Sequence, residues 1–208
     1  MKTLIYVGAN TGDSLWGIFN EYERVYAFEP DPEIFKVLRS RYKQFDWVTL
    51  VNAACGNEKS KAKFFVTPNR VSSSMSIVSS STHDEDHPQR KYREIEVDVI
   101  NLCDYLVDNK VEYIDYYISD AQGSDLNILK TLQSFIVNKK IEKLFVETHG
   151  NGLFLYDGLN NQFDGFKELL CQNYNFIYAS LGRLNGVNVT EKEIPENEYE
   201  WDSYWELK

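Results

Sequence analysis

The chain has 208 residues, 43% hydrophobic and 14% aromatic, which suits a packed core and excludes a disordered polymer. Its formal charge of −10 repels a phosphate backbone, so nucleic acid is not an expected partner. No stretch approaches membrane-span length and no apolar leader precedes the first strand pattern, so a soluble, intracellular, cytoplasmic protein is expected. Cys55, Cys103 and Cys171 stand apart without a C-x-x-C pair, which gives neither a disulfide framework nor zinc spacing. Free thiols in a reducing compartment are the expectation. The length reads as one domain, 1–208. Because the first strand pattern begins almost at Met1, the chain reads as a minimal version of its fold or as a domain excised from a longer protein.

The first apolar run, Leu4 to Val7, stops at Gly8, and Gly12 follows four residues later. Glycines at a strand end allow a sharp turn and the close approach of a ligand. A helix is expected from Asp13 or Ser14, both good N-caps, with Leu15, Ile18, Phe19 and Tyr22 at helical spacing. Val25 to Phe28 is the second strand, ending in Glu29-Pro30. Asp31-Pro32 then reads as an N-cap with proline at N1, opening a helix that turns Ile34, Phe35, Leu38 and Tyr42 to one side. Val48 to Val51 is the third strand. The small residues Ala53, Ala54 and Gly56 after it suit a flat ligand or, equally, a tight turn.

Residues Lys61 to Thr67 alternate as an extra, antiparallel strand, with Lys59, Lys61 and Lys63 on a solvated face. From 68 to 92 the chain is serine-rich and then acidic, a loop that is either a lid or a solvated excursion. Ser72 to Ser76 read as its functional part. His83 and His87, set among Asp84, Glu85 and Asp86, offer a metal-binding tract or a solvated acidic loop. The loop is preferred, because nothing fixes the ligands.

Arg93 to Val97 is a strand and Leu102 to Val107 a helix. Tyr113 to Ile118 is a near-continuous apolar run, expected as a central strand, and ends in Ser119-Asp-Ala-Gln-Gly123. A helix starts at Asp125. Lys143 to Val146 is the next strand, ending in Glu147-Thr-His149. A loop, a helix over Phe163 to Cys171, and late strands at Phe176 to Ala179 and Tyr199 to Leu207 follow, with a turn between Gly182 and Asn188. This alternation predicts an α/β fold with a mainly parallel sheet and helices on both faces. Its ligands belong at the carboxyl ends of the strands, where the Gly8–Gly12 turn, Glu29, Asn52, Ser119 to Gln122 and Glu147 to His149 converge.

A dinucleotide site needs G-x-G-x-x-G, whereas Gly8 and Gly12 are spaced G-x-x-x-G, and no Walker lysine follows. Asp13 would repel a phosphate at the helix start. An adenosyl cofactor without phosphate, S-adenosyl-L-methionine, fits better. Its ribose would meet Glu29, and its amino-acid end the Gly8–Gly12 backbone and Asn10.

The ordered segments Val7-Gly-Ala-Asn-Thr-Gly12, Ala27-Phe-Glu-Pro30, Asn52-Ala-Ala-Cys-Gly56, Ser73-Ser-Met75, Ile114 to Gly123, Val146-Glu-Thr-His149 and Asp202-Ser-Tyr-Trp205 resemble the motifs of the FkbM family of S-adenosylmethionine-dependent methyltransferases. The resemblance implies the class I methyltransferase fold, a Rossmann-like seven-stranded sheet whose last strand is antiparallel. It implies O-methylation of a hydroxyl, with a sugar or glycan as the expected acceptor and a neighbouring glycosyltransferase domain as a candidate companion. The cofactor would then touch Gly8, Ala9, Asn10, Gly12, Glu29, Pro30, Asn52, Ala53, Ala54, Ser74, Asp120 and Gln122. The chain departs from the family at Tyr6, where an Asp is usual, at Ile118, where a Lys is usual, and at Gln122, often a Glu.

Methyl transfer needs the acceptor oxygen aligned and its proton removed. Asp120 is the first candidate, as base or as ligand to a divalent metal; its bland alternative is a helix N-cap. His149 is the second candidate base, against a loop histidine bonded to backbone, and Glu147 would orient it or share a metal. Tyr156, Tyr199, Trp201, Tyr204 and Trp205 would stack on a sugar or fill the core, the core being favoured. Two other classes stay open: a non-catalytic methyltransferase-fold module of a larger glycan-modifying protein, and a nicotinamide oxidoreductase, which the missing glycine disfavours.

Overall fold

The structure, a computed structural model, describes residues 1–68, 73–76, 92–153, 155–181, 187–196 and 198–208. Ser72, most of the serine-rich segment, His83, His87 and most of the 182–188 turn lie outside the described residues.

Five apolar runs form the parallel part of the main sheet: β1 (Thr3–Val7), β2 (Arg24–Phe28), β3 (Val48–Val51), β7 (Ile114–Ser119) and β8 (Ile141–His149). With β9 (Tyr174–Leu181), β10 (Val187–Val189) and β11 (Glu200–Leu207) added, the strand order is β10-β9-β11-β8-β7-β1-β2-β3. The last strand, β11 (Glu200–Leu207), is antiparallel to both β8 and β9 (Tyr174–Leu181), as expected. The sheet has eight strands rather than seven, because β9 also pairs with the short β10 (Val187–Val189). The strand order reverses between β1 and β7, which places a ligand crevice at their carboxyl ends.

A second, three-stranded sheet holds β4 (Ala54–Gly56), β5 (Ser60–Val66) and β6 (Arg93–Asn101). The small residues after β3 thus form a strand of their own, parallel to β6. Lys61 and Lys63 sit on the solvated face of β5 and pair across to Glu96 and Glu94.

Of the helices, α2 (Pro32–Tyr42) follows the expected design. Asp31 Oδ1 accepts from the Glu33 amide at 2.8 Å, Pro32 occupies the first turn, and Ile34, Leu38 and Tyr42 are buried. The first helix does not. α1 (Asp13–Trp16) is one turn long, capped by Gly12 rather than by Asp13 or Ser14, and the chain passes Gly17 into a 3-10 turn at Phe19–Glu21. A glycine inside a helix costs about 1 kcal/mol, and Phe19 is better buried against the rings of Tyr42 and Phe45 at 5.2 and 4.8 Å. Asp13 turns out to Arg41 instead. The remaining helices are α3 (Leu102–Asp108), α4 (Asp125–Thr131), α5 (Gln133–Val137) and α6 (Phe163–Leu170). They cover the face of the sheet opposite α1 and α2, over a core that includes Leu126, Phe166 and Leu144.

Among the late aromatics, Tyr156, Trp201 and Trp205 are core residues, Tyr204 is half-buried and Tyr199 is exposed. Trp205 packs on Phe163 and Phe176, which accounts for its position without any sugar. No helix among the described residues is long and apolar enough to cross a membrane.

Candidate functional site

The turn after β1 is built around two anchors. The amides of Gly8 and Ala9 both donate to the Phe28 carbonyl, at 3.0 and 2.9 Å, which locks the turn to the end of β2. The next residue of β2's exit, Glu29, then grips both flanking loops. Its Oε2 accepts from the Asn10 amide at 2.9 Å and its Oε1 from the Asp31 amide at 2.8 Å. Burial pushes this carboxyl up to about 7, against the pull of those two amides. Asn52 ties β3 to the same place, its Nδ2 donating to the carbonyls of Glu29 and Pro30.

A cleft of about 600 Å³, mouth included, opens beside these groups. Gly8, Asn10, Glu29 and Pro30 line one side. Ala53, Ala54, Cys55, Phe64 and Met75 make an apolar wall, and Asp120 and Gln122 close the third side. Among the described residues, the charged ones in this lining are the acids Glu29 and Asp120. Four expected contacts are not in the lining. Ala9 and Gly12 are turned toward the α1–α2 core, Asn52 braces the loop from behind, and Ser74 reaches the site only through the backbone of Gln122.

Gln122 is the hub of the far side. Its backbone lies in the left-handed region, φ 49°, as does that of Asn10 across the cleft. Such positions are strained for a residue with a Cβ and persist where the surroundings hold them. Gln122 Nε2 donates to Asp120 Oδ1 at 2.8 Å and to Glu147 Oε2 at 2.7 Å. Its Oε1 accepts from the Tyr156 hydroxyl at 2.7 Å, and its carbonyl from Ser74 Oγ at 2.7 Å. Glu147 Oε1 lies 2.9 Å from His149 Nε2. Burial holds Glu147 well above the carboxylate range, and the nearby Asp125 and Glu200 charges add to it. Burial holds His149 down at about 4. Burial thus disfavours the charged form of both partners.

His149 is neither a free base nor a loop histidine. It ends β8, is 2% exposed, and lies under the ring of Tyr156. Asp120 does not cap α4 either; Ser124 holds that position. Asp120 is exposed, beside the cleft, with one carboxylate oxygen held by Gln122. Of the three expected catalytic residues it is the one a ligand in the cleft can reach. Among the described residues, the ligand-type side chains that converge do not include it: they are Glu147, His149 and Glu200.

Several supporting residues escaped the sequence reading. Asp125 is fully buried, accepts from Ser119 Oγ and from the Ala121 amide, and is pushed up to about 7 chiefly by burial. Asn161 holds Asp125 Oδ2, the Leu126 amide and the Glu147 carbonyl together. Tyr156 and Glu200 were read only as an aromatic and as part of a strand. The alternation of Glu200 with Asp202 was a usable signal for a shared face.

Tyr6 lies away from the cleft lining. It is buried in the α1–α2 core with Ile118, shares a hydrogen bond with Ser14, and its hydroxyl is raised to about 12 by burial. Tyr6→Phe is therefore expected to cost about 1 kcal/mol of stability. Calorimetry with S-adenosylhomocysteine should find the affinity changed less than about twofold, since no ligand contact is lost.

Residues 7–178 match the family model described as "Methyltransferase FkbM domain". No curated protein sequence matches the chain. The fold is similar to that of the methyltransferase FkbM from Methylobacillus flagellatus KT, with TM-score 0.56 and 15% identity over 98% of this chain; the chain spans 43% of that protein. It is also similar to an rRNA methylase from Streptococcus thermophilus, with TM-score 0.51 and 9% identity, covering 99% of this chain and 86% of that one.

Proposed function

Because this chain belongs to the FkbM methyltransferase family, we propose that it binds S-adenosylmethionine in the Glu29 cleft and methylates a hydroxyl, that of a sugar or glycan. The observation that carries this reading is the lining itself, which among the described residues has two acids, no lysine or arginine, and an apolar wall. A pyrophosphate would be repelled by Glu29 and Asp120, whereas a cationic sulfonium is attracted. Glu29 is pinned by two amides with lone pairs left for a ribose diol, and Ala53 and Ala54 leave room for a flat base. Bound there, the cofactor supplies an already activated methyl group.

The chain's own work is to hold the acceptor and take its proton. Asp120 is the proton acceptor in this reading, oriented by Gln122. Glu147 and His149 stand behind Gln122 and keep it in place. A sugar suits the −10 charge, which disfavours a phosphate-rich acceptor such as the RNA named for the streptococcal enzyme.

Transfer of labelled methyl from S-adenosylmethionine to rhamnose- or hexose-type acceptors tests this directly. Transfer that is lost in Asp120→Asn, with cofactor binding kept, is the expected result. Cofactor binding without transfer to any hydroxyl acceptor would favour a non-catalytic module, and NADH binding in its place would overturn the reading.

A further inference from the structure

Strand register builds a second polar site next to the cleft. β8 and β11 pair with His149 opposite Glu200 and Glu147 opposite Asp202. Directly opposed residues of an antiparallel pair share a face, so these side chains gather at the carboxyl end of β8. In three of them, Glu147, His149 and Glu200, one ligand-type atom each lies within 4.8 Å of the others. We infer that Glu147, His149 and Glu200 bind a divalent transition-metal ion of the Mn²⁺ or Zn²⁺ type, one side chain away from the cofactor cleft.

The donor set is mixed, one imidazole with two carboxylates. That combination suits Mn²⁺ or Zn²⁺ better than the all-oxygen surroundings of Ca²⁺ and Mg²⁺. The ligands are also held from behind. Glu147 Oε2 is taken by the Gln122 amide at 3.2 Å and by its Nε2 at 2.7 Å, which leaves Oε1 to face His149 Nε2. A carboxylate with one oxygen fixed by an outer hydrogen bond and the other turned inward is how metal carboxylates are usually oriented. Tyr156 stacks along the imidazole, 6.0 Å away, and fixes its plane.

Charge points the same way. Asp120, Asp125 and Asp202 surround the group, and among the described residues no lysine or arginine forms an ion pair with Glu147 or Asp202. A buried concentration of acids needs protons or a cation to balance it. Glu200 is half-exposed, so the group opens toward solvent on that side. Gln122 lines the cleft and touches Glu147, so an ion here would act on an acceptor in the cleft through the position of Gln122. That last role rests on the methyl-transfer reading; the existence of the site does not.

The test is Mn²⁺ and Zn²⁺ titration of the full chain after chelation, read by Mn²⁺ electron paramagnetic resonance and by calorimetry. Saturable binding near one ion per chain is expected, weakened at least about tenfold in Glu200→Gln and in His149→Gln. Glu200→Gln keeps the shape of the side chain, and its melting temperature in chelator reads any structural loss separately from loss of the ion. No saturable binding overturns the site, as does unchanged binding in Glu200→Gln. Binding lost only in a His83→Ala/His87→Ala variant overturns it too. Ion binding in a protein that fails every methyl-transfer assay would leave this site standing and remove only the proposed reaction.

Discussion

Glu29→Ala is expected to weaken S-adenosylhomocysteine binding by at least about 100-fold. An ionised carboxylate that accepts two ribose hydroxyls makes two charge-assisted bonds, each roughly 1.5–3 kcal/mol, and 1.4 kcal/mol is about a tenfold change. The substitution also frees the Asn10 and Asp31 amides, so part of the loss reflects a loosened turn. A ligand lacking the ribose hydroxyls separates the two effects. If Glu29 holds the diol, the deoxy ligand binds the parent weakly and loses little more in Glu29→Ala. Equal affinity of the parent for both ligands would reduce Glu29 to a brace for the turn.

The same carboxyl makes the affinity depend on pH. Burial places it at about 7 in the folded chain, raised above its usual value. The ionised form accepts two hydroxyls, so cofactor affinity should be highest above pH 7 and fall as the pH is lowered through 7 toward 6, approaching tenfold per unit. Calorimetry at pH 6, 7 and 8 reads this, and Glu29→Gln should flatten the profile. In the free protein the linkage runs the other way. The folded chain holds this proton more tightly than the unfolded one, so this group's contribution to stability is lost as the pH rises from about 4.5 to about 7.

What could be read from the residues was what short-range chemistry decides. Gly8 after an apolar run, Glu29 at a strand tip and the Asp31-Pro32 cap are each determined within a few residues, and each stands where expected. The first helix was misjudged because Leu15, Ile18 and Phe19 are spaced alike for a helix and for a turn followed by a 3-10 segment. Only the ring cluster of Phe19 with Tyr42 and Phe45 decides between them. The role of Glu200 was out of reach for a different reason. It depends on the register of β11 against β8, and a slip of one residue would send it to the other face. His149 looked like a base because its type suits proton transfer. Its burial beneath Tyr156, contributed by the loop after β8, is a tertiary fact.

Gly8→Ala is expected to destabilise the protein by roughly 3–4 kcal/mol and to remove cofactor binding with it. Gly8 has φ 73°, where an added Cβ costs about 1–2 kcal/mol by itself. That Cβ would also lie 2.0 Å from the Asp120 carbonyl oxygen and 2.9 Å from its carbon. The oxygen cannot swing aside cheaply, because the Asp120 amide donates to the Val7 carbonyl at 3.1 Å and Val7 pairs with Ser119. Relief requires the tips of β1 and β7 to separate, an overpacking cost of about 1–3 kcal/mol. For a chain of this size the sum corresponds to a melting temperature lower by roughly 10 °C. The separation also carries Asp120, and through it Gln122, away from Glu29, so the two sides of the cleft no longer face one ligand. Gly152→Ala is the matching control: φ is 79°, yet among the described residues nothing lies within 4 Å of the added Cβ. It should lose only the conformational cost of about 1–2 kcal/mol and bind cofactor normally. Equal melting temperatures for the two variants would mean that the contact between β1 and β7 yields more easily than this register allows.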